Sequence, residues 1–88
     1  MSSFTGMDIP AVRQLASQMT QSASQIRQLL SQLTNQLSGT QWVGPDRQRF
    51  ESEWTGTYVQ QLNQVATALE DASQRATQNA NEQESASA

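Results

Sequence analysis

From Val12 onward the apolar residues fall at Val12, Ala16, Met19, Ala23, Ile26, Leu30, Leu33 and Leu37, in steps of four and three that alternate without a miss. That period places every one of them along a single stripe of an α-helix. Asp8 supplies a cap-type oxygen before the stripe and Pro10 suits a first-turn position, where its missing N–H leaves no donor unpaired. Gly39 stands where a left-handed C-terminal residue is wanted. Helix one is therefore predicted over residues 9–38. Leu15 and Leu29 lie just off the stripe and widen the apolar face beyond what one neighbouring helix covers.

Gly39-Thr40-Gln41-Trp42-Val43-Gly44-Pro45 breaks the pattern, with glycine at each side and a proline placed to open a new helix. The chain is predicted to reverse over residues 39–44. Helix two, predicted over 45–79, carries Phe50, Trp54, Tyr58, Leu62, Val65, Leu69, Ala72 and Ala76, with an early run of fours before the four-three alternation returns. Steps of four drift against a strict heptad, so any left-handed supercoil should unwind locally near the loop end. Bulky side chains cluster toward the loop and alanines toward the C-terminus. The hairpin should be thick at one end and tightly approached at the other. Residues 1–7 and 80–88 lack periodicity and are rich in small polar residues, so frayed or disordered ends are expected.

Composition narrows the chemistry. The sequence has 88 residues, no cysteine and no histidine, which removes disulfides, thiolate and imidazole chemistry and most zinc or copper sites. No cofactor is expected. Net charge is −3 with five Arg and no Lys, which argues against nucleic acid and against anionic membrane surfaces as partners. No apolar run approaches the roughly 20 residues that span a bilayer, so stable membrane insertion is not expected. The opening MSSFTGMDIP has neither a basic n-region nor an apolar h-region, so no cleavable secretory leader is expected. No Gly-rich phosphate loop or nucleophile motif is present, and Glu51 and Glu53, two apart on a helix, point in different directions. The chain is not read as an enzyme.

Two antiparallel helices bury only the stripe between them, and ordering about 80 residues costs on the order of 100 kcal/mol in conformational entropy. Docking a second hairpin supplies the missing burial. Helices of about 45 Å side by side offer a strip about 20 Å wide, or about 900 Å² per partner, the size of a standard stable interface. The predicted fold is all-α, an antiparallel two-helix hairpin that dimerises into a four-helix bundle. Its hairpin and dimer core is drawn from Leu15, Met19, Ile26, Leu29, Leu30, Leu33 and Leu37 on helix one and from Phe50, Trp54, Tyr58, Leu62, Val65 and Leu69 on helix two. Trp42 is read as a plug over the loop end or as a partner contact, and Gly44 as the position where a Cβ would obstruct the backbone before Pro45. Arg47 with Glu51, Arg49 with Glu53 and Asp71 with Arg75 are spaced as solvated i,i+4 pairs.

A helical hairpin of about this length with Trp42-Val43-Gly44 in its turn, followed by Pro45-Asp46 and by Phe50 and Trp54 on helix two, resembles the WXG100 (ESAT-6-like) family of small type VII secretion substrates. The likeness covers Asp8 to about Asn79. It implies a protein that pairs with itself or with a paralogous chain and is secreted folded, without a cleavable leader, through a membrane complex powered by a P-loop ATPase. In that family the Trp-x-Gly turn of one chain and a Tyr-x-x-x-Asp/Glu tail of its partner form a composite export signal, which gives Trp42 and Gly44 a recognition role. The only tyrosine, Tyr58, lies inside helix two, and no aromatic precedes Glu82 or Glu84. The tyrosine is then supplied by a partner, or Asn79, Glu82 and Gln83 stand in for it. The alternatives are a cytoplasmic coiled-coil adaptor with no export role and a membrane-perturbing amphipathic protein.

Overall fold

Asp8 starts the first helix. Its extended backbone (φ −78°, ψ 93°) turns the carboxylate back to accept from the Ala11 amide at 3.1 Å, satisfying one of the donors a helix start leaves free. Pro10 occupies the first turn, as its fixed φ favours. In the computed structural model, which describes residues 6–87, helix α1 runs Ile9–Gly39.

The end of α1 departs from expectation. Gly39 is its last helical residue and not a left-handed stop; among the described residues, positive φ is found at Gly6 and Gly44. The stop comes from Thr40, whose amide bonds the Leu37 carbonyl at 3.2 Å and whose hydroxyl donates to the Gln36 carbonyl at 2.6 Å. A threonine that bonds both of these carbonyls satisfies two acceptors without a glycine.

Gly44 closes the connection at φ 130°, ψ −179°, and helix α2 follows over Pro45–Glu53 with Asp46 in its first turn. The run of fours is then resolved by a π-helical turn, Trp54–Tyr58, in which the Val59 amide reaches back five residues to the Trp54 carbonyl. Each step of four in an α-helix rotates a side chain by about 40°. A wider turn takes that rotation back. The spacing predicts a change of supercoil alone; the widening of the helix itself over Trp54–Tyr58 is a further feature that the structure shows.

Helix α3 continues over Val59–Ser87, which overturns the disordered tail predicted from residue 80. Ala80 is fully buried. Beyond it, Arg13 on α1 donates to Asn81 at 2.9 Å and pairs with Glu84 at 3.4 Å. A side chain at the start of the sequence thereby holds the last turns, which local composition could not reveal.

The seam between the helices is made of small residues apart from Leu30. The buried positions are Ala16, Ala23 and Leu30 on α1 and Ala66, Ser73 and Ala80 on α3, each set spaced by seven. On α1 these belong to the expected stripe. On α3 they do not: Tyr58, Leu62 and Val65 are exposed, and Leu69, Ala72 and Ala76 are half-buried. Close backbone approach admits methyl and hydroxymethyl groups at the contact, so the bulkier side chains flank it. The result is a rod with principal extents of 63 × 26 × 17 Å.

Candidate protein interaction site

The seven-residue spacing gives the hairpin two unlike faces. On one, Arg13, Thr20, Arg27 and Thr34 form a ladder of polar side chains, each bonded across to the second half of the chain. Arg27 donates to Asn63 (3.3 Å), Thr67 (3.3 Å) and Glu70 (2.6 Å). Thr20 and Ser73 share a bond of 2.7 Å, and Thr34 accepts from the Trp54 indole at 2.9 Å. These residues were not singled out from the sequence, although their spacing, 13, 20, 27, 34, is as regular as that of the apolar stripe. Between them they spend their polar groups inside the hairpin.

The opposite face has no such use within the chain. Leu15 (51% exposed), Leu29 (54%) and Leu33 point out from α1, with Met19 and Ile26 half-buried beside them, while Tyr58, Leu62 and Val65 point out from the second half. Of the expected core residues only Leu30 is buried within the hairpin, and Leu37, Trp54 and Leu69 are half-buried. The rest form a continuous apolar strip of the kind that marks an interaction site. Its outer rim carries Gln18, Gln25 and Gln32 on α1 and Gln61, Ala68 and Arg75 on α3, all exposed.

At the loop end this face opens into a cleft of about 270 Å³ lined by Leu33, Gln36, Leu37, Thr40, Phe50 and Trp54. The turn beside it is rigidly held. Arg47, with its side chain 15% exposed, donates to the carbonyls of Thr40 (3.1 Å) and Trp42 (2.9 Å) and pairs with Glu51 at 3.2 Å. The Arg47–Glu51 pair expected from the sequence is present, but its arginine is a loop clamp and not a solvated ornament. Arg49 with Glu53 and Asp71 with Arg75 are not ion-paired among the described residues.

Trp42 packs on Phe50, with ring centroids 5.4 Å apart and the planes tilted by 46°, and remains 38% exposed. It combines a packing role with an accessible edge. Val43, at the tip, is 93% exposed. A Cβ added at Gly44 would meet nothing within 4 Å, so glycine is required there by its φ and not by crowding. Of the tail candidates, Asn79 and Glu82 are exposed and Gln83 is half-buried on α3, with Glu82 accepting from Gln78 at 3.5 Å. They lie at the end of the rod opposite Trp42.

Among the described residues no cluster of three acidic, cysteine or histidine side chains could hold a metal ion, and no helix is long and apolar enough to cross a membrane. Compared with known proteins, residues 6–87 match the model of the WXG100 family, described as proteins of 100 residues with WXG. No curated protein and no solved structure gave a match.

Proposed function

The chain belongs to the WXG100 family, and from that membership together with its uncovered apolar face we propose that it is a type VII secretion substrate exported as a folded helical dimer. Its action is binding, as effector, co-secreted chaperone or part of the export route. The observation that carries the dimer is the face itself: Leu15, Leu29, Leu33, Tyr58, Leu62 and Val65 all exposed on one side of a rod whose other side is knitted by hydrogen bonds. Leaving that strip in water costs about 25 cal/mol for each Å² that a partner would cover. A second WXG100 chain, identical or paralogous, covers it and completes a four-helix bundle.

The turn supports the export half of the reading. Trp42 and Val43 project from a loop that Arg47 and Gly44 hold in one shape, which suits recognition by the P-loop ATPase of the membrane complex, because a preordered loop loses little entropy on docking. Asn79, Glu82 and Gln83 belong to the second element of the signal. In a pair of hairpins running in opposite directions the tail of one chain lies beside the turn of the other.

The test compares culture supernatant with cell pellet in a wild-type strain and in one lacking the export ATPase. Appearance in the supernatant of the wild type alone is expected. Retention in both pellets would leave a cytoplasmic helical adaptor.

A further inference from the structure

The hydrophobic period and the seam disagree by one residue along α3. The period selects Val65 and Ala72, flanked by Leu62, Leu69 and Ala76 in steps of three and four, whereas the buried positions are Ala66, Ser73 and Ala80. One residue of α-helix is a rotation of about 100°. Helix α3 thus carries two stripes, one bulky and one small, and either can be turned toward α1.

The turn that chooses between them lies immediately upstream. Over Trp54–Tyr58 the Val59 amide bonds the Trp54 carbonyl, five residues back, so this turn holds one residue more than an α-turn does. Were the same amide to bond the Thr55 carbonyl, four back, the extra residue would leave the turn and α3 would rotate by about 100° on its axis. Val65, Ala72 and Asn79 would then stand where Ala66, Ser73 and Ala80 stand now. Leu62 and Leu69 would turn inward with them. Gly56, at the centre of the turn, is of a residue type with the weakest helix preference but proline, and nothing lies within 4 Å of the space a Cβ would fill there. Trp54 is pinned to Thr34 of α1 at 2.9 Å, so the rotation falls on α3.

We infer that Trp54–Tyr58 is a register switch, with Arg27 as its latch, that sets whether the apolar side chains of α3 face outward or are folded against α1. Two forces oppose each other across it. Leu62 and Val65 are exposed in the outward register seen here, and taking them out of water favours the inward one. The polar ladder favours the outward register. Arg27 donates to Asn63, Thr67 and Glu70, the last a charge-assisted bond, and a one-residue rotation would set Leu62, Ala66 and Leu69 before it instead. What the outward face is used for rests on the pairing reading above, whereas the switch belongs to a single hairpin.

Because the chain has no cysteine, two engineered pairs report the register. The Thr20 and Ser73 hydroxyls are 2.7 Å apart, so Thr20→Cys/Ser73→Cys closes an intrachain disulfide in the outward register, and Thr20→Cys/Ala72→Cys closes one in the inward register. With the inward register a minor state of about 0.1–10%, the Ala72 pair should close at least about tenfold more slowly than the Ser73 pair. Adding Arg27→Ala should raise its rate about tenfold or more. Deleting Thr57 removes the extra residue and leaves a plain α-helix with α3 in its outward register, so in that background Arg27→Ala should not speed closure. Rates are followed over a dilution series, because a covering chain would hold the face outward.

Where a pair fails to fold by circular dichroism, thiol labelling of Ser73→Cys alone reads the same motion. The site is 7% exposed, and Arg27→Ala should speed its labelling about tenfold with Thr57 present and not with Thr57 deleted. An Arg27→Ala effect of equal size in both backgrounds means loosening of the whole seam and overturns the switch. No effect at any dilution also overturns it, as does an Ala72 pair that closes as fast as the Ser73 pair while Arg27 is intact.

Discussion

The Ser73 hydroxyl donates to the Ala16 carbonyl across the hairpin at 2.7 Å, side chain to backbone. Ser73 has one proton, so Thr20, 2.7 Å away, donates to Ser73 in turn. The chain Thr20 to Ser73 to Ala16 places a polar group at the centre of the seam with its bonds satisfied, and it requires the two helices to be close enough that only a small residue fits.

Size should therefore matter more than polarity at this position. Ser73→Ala removes two hydrogen bonds but leaves Thr20 able to turn to the Ala16 carbonyl, 3.3 Å away, so the net loss is one bond and about 1 kcal/mol is expected. Ser73→Leu, although more apolar, forces the helices apart and costs about 1–3 kcal/mol. Urea denaturation followed by circular dichroism at fixed chain concentration ranks the two; a leucine variant as stable as wild type contradicts the close seam.

Arg47 is expected to be worth more than a surface arginine. It bonds two loop carbonyls while largely covered, and charge-assisted bonds of this kind contribute roughly 1.5–3 kcal/mol. Arg47→Ala should lower the melting temperature and speed amide exchange at residues 40–44. Arg47→Lys keeps the charge but lacks the fork that lets Nη1 reach the Thr40 and Trp42 carbonyls while Nε holds Glu51, so it should recover less than half of the loss. Full recovery by lysine would mean that charge alone matters.

The tail gives the opposite forecast. Arg13 and Glu84 are substantially exposed, and such pairs contribute about 0–1 kcal/mol. Arg13→Ala should leave the global melting temperature nearly unchanged while residues 81–87 lose hydrogen-exchange protection. Protection equal to wild type would show that the tail helix does not depend on the cross-link.

These residues also mark how far the sequence could be read. Asp8, Pro10 and Pro45 announce helix starts through local chemistry, and the stripe from Val12 to Leu37 needs only a period, so both helices and the turn were legible. The α3 seam was not. A period found by hydrophobicity selects Tyr58, Leu62 and Val65, whereas the contact selects for size and takes Ala66, Ser73 and Ala80. Those large residues instead form the uncovered face, which the width of the pattern at Leu15 and Leu29 did foreshadow. The roles of Arg13 and Arg47 depend on partners brought close by folding or on loop carbonyls, and residue type alone does not show them.

Two glycines should respond to alanine with opposite sign. Gly44 sits at φ 130°, outside the regions open to L-residues, and Gly44→Ala should cost about 1–3 kcal/mol through strain alone. Gly39 is helical, with open space where a Cβ would go, so Gly39→Ala should stabilise by up to about 1 kcal/mol. Thermal melts of both variants at one concentration decide it, and a destabilised Gly39→Ala would mean that the helix end must flex.

Val43 and Trp42 separate stability from recognition in the turn. Val43 is almost wholly in solvent, so Val43→Ser should leave the melting curve within about 0.5 kcal/mol of wild type. Trp42→Ala removes the contact with Phe50 and should destabilise by about 1–2 kcal/mol, less than a fully buried aromatic because part of the ring is already wet. Secretion assayed on the same pair gives the functional reading. If the turn is a recognition element, Val43→Ser lowers the amount of chain in the supernatant without altering its folding, and Trp42→Ala lowers it further than its stability loss accounts for. If both variants are exported in proportion to their folded fraction, the turn serves the hairpin alone and the export machinery reads another part of the surface.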